Sequence, residues 1–314
     1  MADGRKEVHG VAKFRGVLVA LLTPLDVDGR LDERALKGHI DGLIDAGVHG
    51  LIPAGSTGEV MTLDPDEYHR LIALTIQHVA GRVPVVAGCS ANATHHVIAN
   101  CRAAEDAGAD GLMILHPFYS HPTADELFEH YAQIARTVSL PIVIYNNPGT
   151  TGVDATPELF GRLAELGHVE YVKETSGDTA RITRILECSG DRLAVFSGKD
   201  DQALDHFACG ASGWISGSAN VIPAQCVALY DLAVGRGDFA AARAVFRELH
   251  PFFNYTENSG HGVQAIKASM AIAGRPLGSP RAPLRPLSGA SLDEVRPFVE
   301  RALRALLPAR APVG

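Results

Sequence analysis

Short apolar segments alternate with amphipathic segments along most of the chain. The apolar runs are rich in valine, isoleucine and leucine and carry few charges, which is typical of strands in a parallel sheet that is covered on both faces. The pattern predicts strands over residues 17–24, 50–55, 83–88, 111–117, 141–148, 169–176, 193–198 and 213–218.

The segments between these runs have helical spacing. Over residues 32–47, Leu36 and Ile40 are four residues apart and would share one side of a helix. Further along, Thr123 is followed three residues later by Glu126, which is the spacing of a helix capping box. The sequence therefore predicts that helices connect the strands.

Eight strand–helix units within about 220 residues match the size of a closed (β/α)8 barrel, the TIM barrel. A doubly wound open sheet is the alternative, but no glycine-rich GxGxxG motif follows the first strand, as a dinucleotide-binding sheet would require. We predict an α/β fold with a TIM barrel over residues 14–235. Beyond it the alternation stops, and three further helices with a proline-rich linker predict a C-terminal helical extension over residues 236–308.

Composition and charge narrow the range of partners. The 314 residues carry a formal net charge of −8, which argues against a nucleic-acid or anionic-membrane partner.

The five cysteines form no CxxC pair, and their odd number predicts reduced, mostly buried thiols in the cytoplasm. The N-terminal segment is too polar for a signal peptide, and no stretch approaches the ~18 apolar residues of a membrane span. The histidines show no metal-binding spacing, so no metal is predicted.

The second strand ends in a glycine-containing turn, GSTGE, at residues 55–59. In a βα barrel the active site forms at the C-terminal ends of the strands, so this turn would lie at the mouth. Gly55 and Gly58 permit a tight turn whose backbone N–H groups point outward, and Ser56 and Thr57 add hydroxyl groups. The turn therefore fits a cradle for a small anion, and a plain glycine turn with polar filler is the alternative.

Lys173 stands inside the apolar run VEYVKETS, and lysine is seldom buried without a reason. A barrel interior disfavours a charged ammonium, which would favour a neutral amine able to attack a carbonyl and form a Schiff base. A lysine that snorkels or pairs with Glu174 is the alternative. Glu174 is adjacent on the strand and points to the opposite face, so the nucleophile is favoured.

Tyr145 ends the fifth strand, beside the strand that carries Lys173. Its phenol could form a hydrogen bond with Thr57 and pass protons to and from a substrate that is bound to the lysine. A tyrosine that only packs the barrel is the alternative.

The motifs GSTGE, YNNPGTTG and YVKETSGD occur in this order on the second, fifth and sixth strands. Together they closely resemble the motifs of the dihydrodipicolinate synthase and N-acetylneuraminate lyase family, over roughly residues 14–308. The resemblance implies a class I aldolase or lyase on a TIM barrel, and a homotetramer built as a dimer of dimers. It also implies that no metal or organic cofactor is needed, because the lysine imine withdraws the electrons.

The resemblance assigns roles to individual residues. Lys173 falls on the imine-forming lysine, and Tyr145 falls on the tyrosine that relays protons. Ser56 and Thr57 fall on the pair that holds the carboxylate of the keto acid. Tyr119 falls on the tyrosine that, in the synthases, reaches across the tight dimer interface to complete a threonine–tyrosine–tyrosine relay.

Departures from the family motifs bear on the substrate. The synthases carry an arginine in the loop after the fifth strand, which grips the carboxylate of aspartate semialdehyde. Thr150 stands there in this chain and lacks the bidentate clamp, although Lys199 is a candidate for the missing positive charge. Thr175, two residues after the lysine, is similar to the threonine that contacts substrate hydroxyls in sialic acid lyases and keto-deoxy-sugar-acid aldolases.

We therefore expect a pyruvate-dependent aldolase or lyase that forms or cleaves a hydroxylated 2-keto acid, of the 2-keto-3-deoxy sugar acid or sialic acid type. The alternatives are a dihydrodipicolinate synthase that condenses pyruvate with aspartate semialdehyde, a 2-keto-3-deoxy acid dehydratase that uses the same imine and, least favoured, a non-catalytic keto-acid-binding protein. The predicted catalytic residues are Lys173, Tyr145, Thr57 and Tyr119, and the predicted substrate-binding residues are Gly55, Ser56, Thr57, Thr175, Gly198, Asp200 and Ser216.

Overall fold

The computed structural model describes residues 14–305, and these contain eight strands that pair in parallel. The strands are β1 (Gly16–Ala20), β2 (Gly50–Ile52), β3 (Val86–Gly88), β4 (Gly111–Leu115), β5 (Ile142–Asn146), β6 (Val169–Glu174), β7 (Ala194–Ser197) and β8 (Gly213–Ser216). Their order in the sheet is β2-β1-β8-β7-β6-β5-β4-β3. A bridge between Leu51 and Val85 joins the two remaining edges, so the sheet closes into the predicted barrel.

Helices alternate with the strands and cover the outside of the barrel. They are α1 (Glu33–Asp45), α2 (Pro65–Val79), α3 (Thr94–Asp106), α4 (Ala124–Ala135), the short α5 (Pro148–Thr151), α6 (Pro157–Leu163), α7 (Ala180–Ser189), α8 (Ala203–Ala208) and α9 (Pro223–Tyr230). The predicted capping box is present at the start of α4, where the Thr123 N–H donates to Glu126 Oε2 at 2.8 Å and the Glu126 N–H donates to Thr123 Oγ1 at 3.4 Å.

Side chains along each strand point alternately into the barrel and out toward the helices. The outward side chains, among them Val172 and Trp214, pack with the helices in one large apolar cluster. The inward side chains form a separate cluster inside the barrel. Its buried members are Phe14, Leu18, Ala20, Ile52, Val86, Met113, Leu115, Val143, Tyr145, Tyr171, Phe196 and Ile215.

Aromatic rings fill the N-terminal end of the barrel, where two glycines make room for them. A Cβ at Gly111 would lie 2.7 Å from the Phe14 ring, and a Cβ at Gly213 would collide with the Phe196 ring. The Phe14 N–H also donates a hydrogen bond to Tyr171 Oη at 3.0 Å. The barrel interior at this level is therefore a packed core and not a channel.

The C-terminal extension consists of α10 (Phe239–Asn258), α11 (Gly262–Ile272) and α12 (Ala290–Arg304). Phe253 on α10 packs edge-on against Trp214 of β8, with 5.5 Å between the ring centroids, and this contact attaches the extension to the barrel. The predicted fold of a TIM barrel with three additional helices is confirmed. Residues 306–308 of the predicted extension lie outside the described residues.

Candidate active site

Lys173 and Tyr145 lie side by side at the C-terminal ends of β6 and β5, where they pair in register. Lys173 shares the inward face of β6 with Tyr171, which precedes it by two residues. Its Nζ atom lies 4.0 Å from the centroid of the Tyr145 ring, and the residue is only 6% exposed. Within residues 14–305, the ion pairs of lysines involve Lys199 and Lys267 but not Lys173. The amine is thus buried against an aromatic ring and is not neutralised by an acid.

Gly198, which follows β7, has no side chain, and Lys173 and Thr175 occupy the space beside it. A Cβ at Gly198 would lie 2.9 Å from Lys173 Cγ and would collide with Thr175 Oγ1. Thr175 Oγ1 is buried and has no hydrogen-bond partner among the described residues. A buried hydroxyl without a partner is costly, so a substrate group at this point would satisfy it.

The Tyr145 hydroxyl is oriented by its neighbour in sequence. Asn147 Nδ2 donates a hydrogen bond to Tyr145 Oη at 3.0 Å. The expected hydrogen bond to Thr57 does not form within the described part of the chain. Because Asn147 is the donor, the phenol keeps its own proton free for another acceptor.

The GSTGE turn lies at the mouth, near the ends of β1 and β8. Thr23 Oγ1 donates to Gly58 O at 2.6 Å, and a Cβ at Gly58 would lie 2.8 Å from a backbone oxygen of the loop after β1. A Cβ at Gly217, which follows β8, would lie 3.6 Å from Thr57 Oγ1. Ser56 is exposed and Thr57 is half-buried. The close approach at Gly58 thus requires a glycine, and the turn presents its hydroxyl residues where the anion cradle was predicted.

A buried polar network lies behind the Lys173–Tyr145 pair, on the outer face of the strands. Asn146 Nδ2 donates to Glu174 Oε2 and to Asp154 Oδ1, both at 3.0 Å, and Asn146 Oδ1 lies 3.1 Å from His116 Nε2. Burial raises the pKa of Glu174 and lowers the pKa of His116 to about 4. The network joins the ends of β4, β5 and β6. It also excludes Glu174 as a partner for the lysine.

The side chains of Asp200 and Ser216 are engaged within the protein, and their role in substrate binding stays a prediction. Asp200 is 2% exposed, and its carboxylate accepts hydrogen bonds from Trp214 Nε1 at 2.9 Å and from the Ser218 N–H at 2.8 Å. Burial raises the pKa of Asp200, although these hydrogen bonds oppose the rise. Ser216 lies on the outward face of β8, where its Oγ accepts from the Ala219 N–H at 3.0 Å. Both side chains therefore bond to β8 and to the segment that follows it.

The positive charge of Lys199 is compensated by two acidic side chains of the protein. Its Nζ atom lies 3.2 Å from Glu257 Oε2 and 3.6 Å from Asp201 Oδ1. Burial acts to lower the pKa of Lys199, but the two acids outweigh it and raise the pKa. Its charge is therefore engaged within the protein, and Lys199 is a poor replacement for an arginine clamp at the exposed Thr150.

Tyr119 projects from the surface and is 86% exposed. The backbone N–H groups of Phe118 and Tyr119 both donate to Asn92 Oδ1, at 2.9 and 3.2 Å, so the loop is held while the ring remains in solvent. The ring therefore packs against little of its own chain.

Two further observations concern residues 14–305. No three side chains of histidine, cysteine, aspartate or glutamate are grouped there so that they could hold a metal ion. Among the same residues, no helix is both long and apolar enough to cross a bilayer. A mechanism without metal or organic cofactor stays a prediction.

A buried lysine beside a tyrosine, at the mouth of a TIM barrel, defines the class of enzyme: this is a lyase of the type that works through a lysine Schiff base. The chain belongs to the dihydrodipicolinate synthetase family, whose family model matches residues 13–302. The resemblance of its three motifs to this family is confirmed.

Individual relatives are similar over nearly the whole chain. The 4-hydroxy-tetrahydrodipicolinate synthase of Pelobacter propionicus is 39% identical over 284 residues, which cover 90% of this chain and 97% of the relative. The solved dihydrodipicolinate synthase from Aquifex aeolicus superimposes with a TM-score of 0.89 at 32% identity, covering 93% of this chain and 99% of that one. The chloride-inhibited dihydrodipicolinate synthase from Acinetobacter baumannii, complexed with pyruvate, has a TM-score of 0.88 at 30% identity, covering 92% and 98%.

Several residues of the site were not predicted from the sequence. Asn147 orients the tyrosine, Gly217 faces Thr57, and Asn146 and His116 form the network behind the pair. The available signal was a polar residue directly after an apolar strand, which does not by itself reveal the face on which it lies.

Replacing Asn146 by alanine is expected to lower the free energy of unfolding by about 3 kcal/mol or more, because buried Glu174 and His116 each lose a hydrogen-bond partner. Urea denaturation measures the change. Asn254→Ala, at an exposed position on α10, is the matched control and should stay within about 0.5 kcal/mol of wild type. Equal stability of the two variants would contradict the importance of the network.

Proposed function

We propose that the protein forms a Schiff base between Lys173 and pyruvate and joins the resulting enamine to an aldehyde. The observation that carries this proposal is the burial of Lys173 against the Tyr145 ring without an acid partner. A buried amine that no acid holds, at the mouth of the barrel, is positioned to attack the carbonyl of a bound substrate. The pyruvate complex of the related Acinetobacter baumannii enzyme supports this keto acid.

The proposed reaction uses a small set of groups. The pyruvate carboxylate binds at Ser56 and Thr57, and Lys173 Nζ attacks the keto carbon. Loss of water gives an iminium, which withdraws electrons so that the methyl group can lose a proton and become an enamine. The enamine adds to the aldehyde carbon, and water then hydrolyses the product imine and frees the lysine. Tyr145 relays the protons, and the reverse sequence cleaves the same carbon–carbon bond.

The relatives favour the synthase among the possible reactions. Eight similar relatives, at 35–39% identity, all bear the name 4-hydroxy-tetrahydrodipicolinate synthase. We therefore propose aspartate semialdehyde as the first aldehyde to test, ahead of the hydroxylated substrates that the sequence motifs favoured. A hydroxylated 2-keto acid remains a second candidate, because Thr150 offers no cation and Thr175 Oγ1 is an unpaired hydroxyl beside Lys173.

Incubation with pyruvate and borohydride is expected to attach one reduced pyruvate to Lys173, because borohydride traps an imine. Mass spectrometry of the intact chain and a peptide map measure the adduct. Lys173→Arg should lose the adduct and at least about a thousandfold of activity, since an arginine cannot form the imine. Lys37→Arg, on α1, should behave as wild type. A wild-type chain that gains no mass would point to a binding protein without this chemistry.

The aldehyde partner can be identified with a substrate panel. Pyruvate consumption with aspartate semialdehyde should exceed pyruvate release from 2-keto-3-deoxy sugar acids and sialic acid by at least about tenfold in kcat/KM if the synthase reaction is correct. The opposite ratio would favour the second candidate. Loss of water from a sugar acid without pyruvate release would identify a dehydratase.

Tyr119 is proposed to complete the proton relay of a neighbouring subunit in a homotetramer. Its exposed ring and its backbone, which Asn92 holds, support a contact made between subunits. If Tyr119 acted in the site of its own chain, its ring would be expected to lie buried beside Lys173.

Complementation between two inactive variants tests this arrangement. Tyr119→Phe is expected to lose about a hundredfold of kcat, within the range for one proton-transfer group. Mixed oligomers of Tyr119→Phe and Lys173→Ala subunits should regain activity, because some sites then combine an intact lysine with an intact tyrosine from the neighbour. Failure of oligomers proven to be mixed to regain activity would place Tyr119 outside the relay.

A further inference from the structure

Glu59, the last residue of the GSTGE turn, extends into the C-terminal extension. Its Oε1 atom lies 2.5 Å from Nζ of Lys267 on α11, and the two side chains are 3% and 2% exposed. Lys267 Nζ also donates to Ser279 O at 3.0 Å. The turn and the extension are therefore joined by an ion pair that is removed from solvent.

The second carboxylate oxygen of Glu59 is also engaged by the extension. Glu59 Oε2 accepts a hydrogen bond from the Arg281 N–H at 2.7 Å. The Arg281 guanidinium then donates to Thr62 O at 2.6 Å and to the Glu67 carboxylate at 2.7 and 2.8 Å. The chain that follows the turn is thus held at several points by one segment of the extension.

The backbone at Glu59 makes the turn dependent on these contacts. Glu59 adopts a left-handed conformation, with φ 57° and ψ 33°, which a residue with a side chain seldom adopts unless its surroundings enforce it. Its N–H donates to Ser56 O at 3.0 Å, and the Val60 N–H donates to Gly55 O at 3.3 Å. The conformation of Glu59 therefore determines how the preceding residues are presented.

A gain in folding stability does not by itself explain why this ion pair is buried. Removing two charges from water costs several kcal/mol per ion, and apolar replacement of both partners is often neutral or stabilising. Burial lowers the pKa of Lys267, although Glu59 opposes the effect. A pair with this cost is better explained by the geometry that it imposes.

We propose that Glu59 and Lys267 are positioning residues for substrate binding: their buried ion pair holds the Ser56–Thr57 segment in the geometry that receives the substrate carboxylate. The C-terminal extension is then a working part of the binding site and not only a cover for the barrel. This inference rests on the proposed role of Ser56 and Thr57 in binding pyruvate.

The test compares removal of one charge with removal of both. Lys267→Met leaves Glu59 buried without its partner and is expected to lose stability, whereas Glu59→Gln/Lys267→Met carries no buried charge and should recover most of it. In the double variant we expect KM for pyruvate to rise about tenfold and kcat to change less than threefold. At saturating pyruvate, borohydride should still attach the adduct to Lys173.

A matched control removes an ion pair from the same extension. Arg301 Nε lies 2.9 Å from Glu248 Oε2 between α12 and α10, and both side chains are about half exposed. Arg301→Met should leave the pyruvate KM unchanged. If the double variant recovers stability and its pyruvate KM returns to the wild-type value, the pair only anchors the extension and the proposal is overturned.

Hydrogen exchange separates this inference from the proposed function. The amides of Glu59 and Val60 should exchange at least about tenfold faster in the double variant than in wild type or in Arg301→Met, because the turn loses its anchor. If wild type forms no pyruvate adduct, the proposed reaction fails, and the exchange rates still decide whether the ion pair holds the turn. Unchanged exchange at both amides would overturn the inference.

Discussion

The parallel pairing of β5 with β6 sets Tyr145 beside Lys173, and the alternation of side chains turns both residues into the barrel. This register decides which side chain of β6 faces the barrel interior. A shift of β6 by one residue would turn Glu174 to the interior and Lys173 to the helical layer. The aromatic core beneath, with Tyr171 and Phe196 packed at 5.9 Å between ring centroids, opposes such a shift. The position of the buried amine thus depends on a strand register that apolar packing maintains.

Polar groups outside the barrel interior support the site from behind. The Asn146 network joins three strand ends on their outer face, and the Glu59–Lys267 pair fastens the GSTGE turn to the extension. Both arrangements are buried, so each partner that is removed leaves a group without compensation. Few residues line the mouth of the barrel, whereas the residues that support them come from the strands, the loops and the C-terminal helices.

The residues that resemble the family and the residues proposed to select the aldehyde lie in different parts of the structure. The lysine, the tyrosine and the hydroxyl turn lie in the motifs that resemble the family, and in the proposed reaction they account for imine chemistry with a keto acid. Under the proposed function, selection of the aldehyde falls to the rim, where Thr150 is exposed and the charge of Lys199 is compensated by Glu257 and Asp201. In the proposed reaction, a carboxylate-bearing aldehyde would need its positive charge from another residue, while the unpaired Thr175 hydroxyl is available for a hydroxyl group of a substrate.

The amino-acid pattern by itself determined the eight strand–helix units, the extension and the roles expected of Lys173 and Tyr145, because apolar runs and a lone lysine within one of them are visible without any contact. Only the tertiary structure decided that Asp200 and Ser216 bond to β8 and the segment after it, that Asn147 donates the hydrogen bond to Tyr145 that was expected to involve Thr57, and that Glu59 reaches Lys267. The physical reason is that the face of a strand end depends on register, and a buried pair 208 positions apart forms only when the chain has folded.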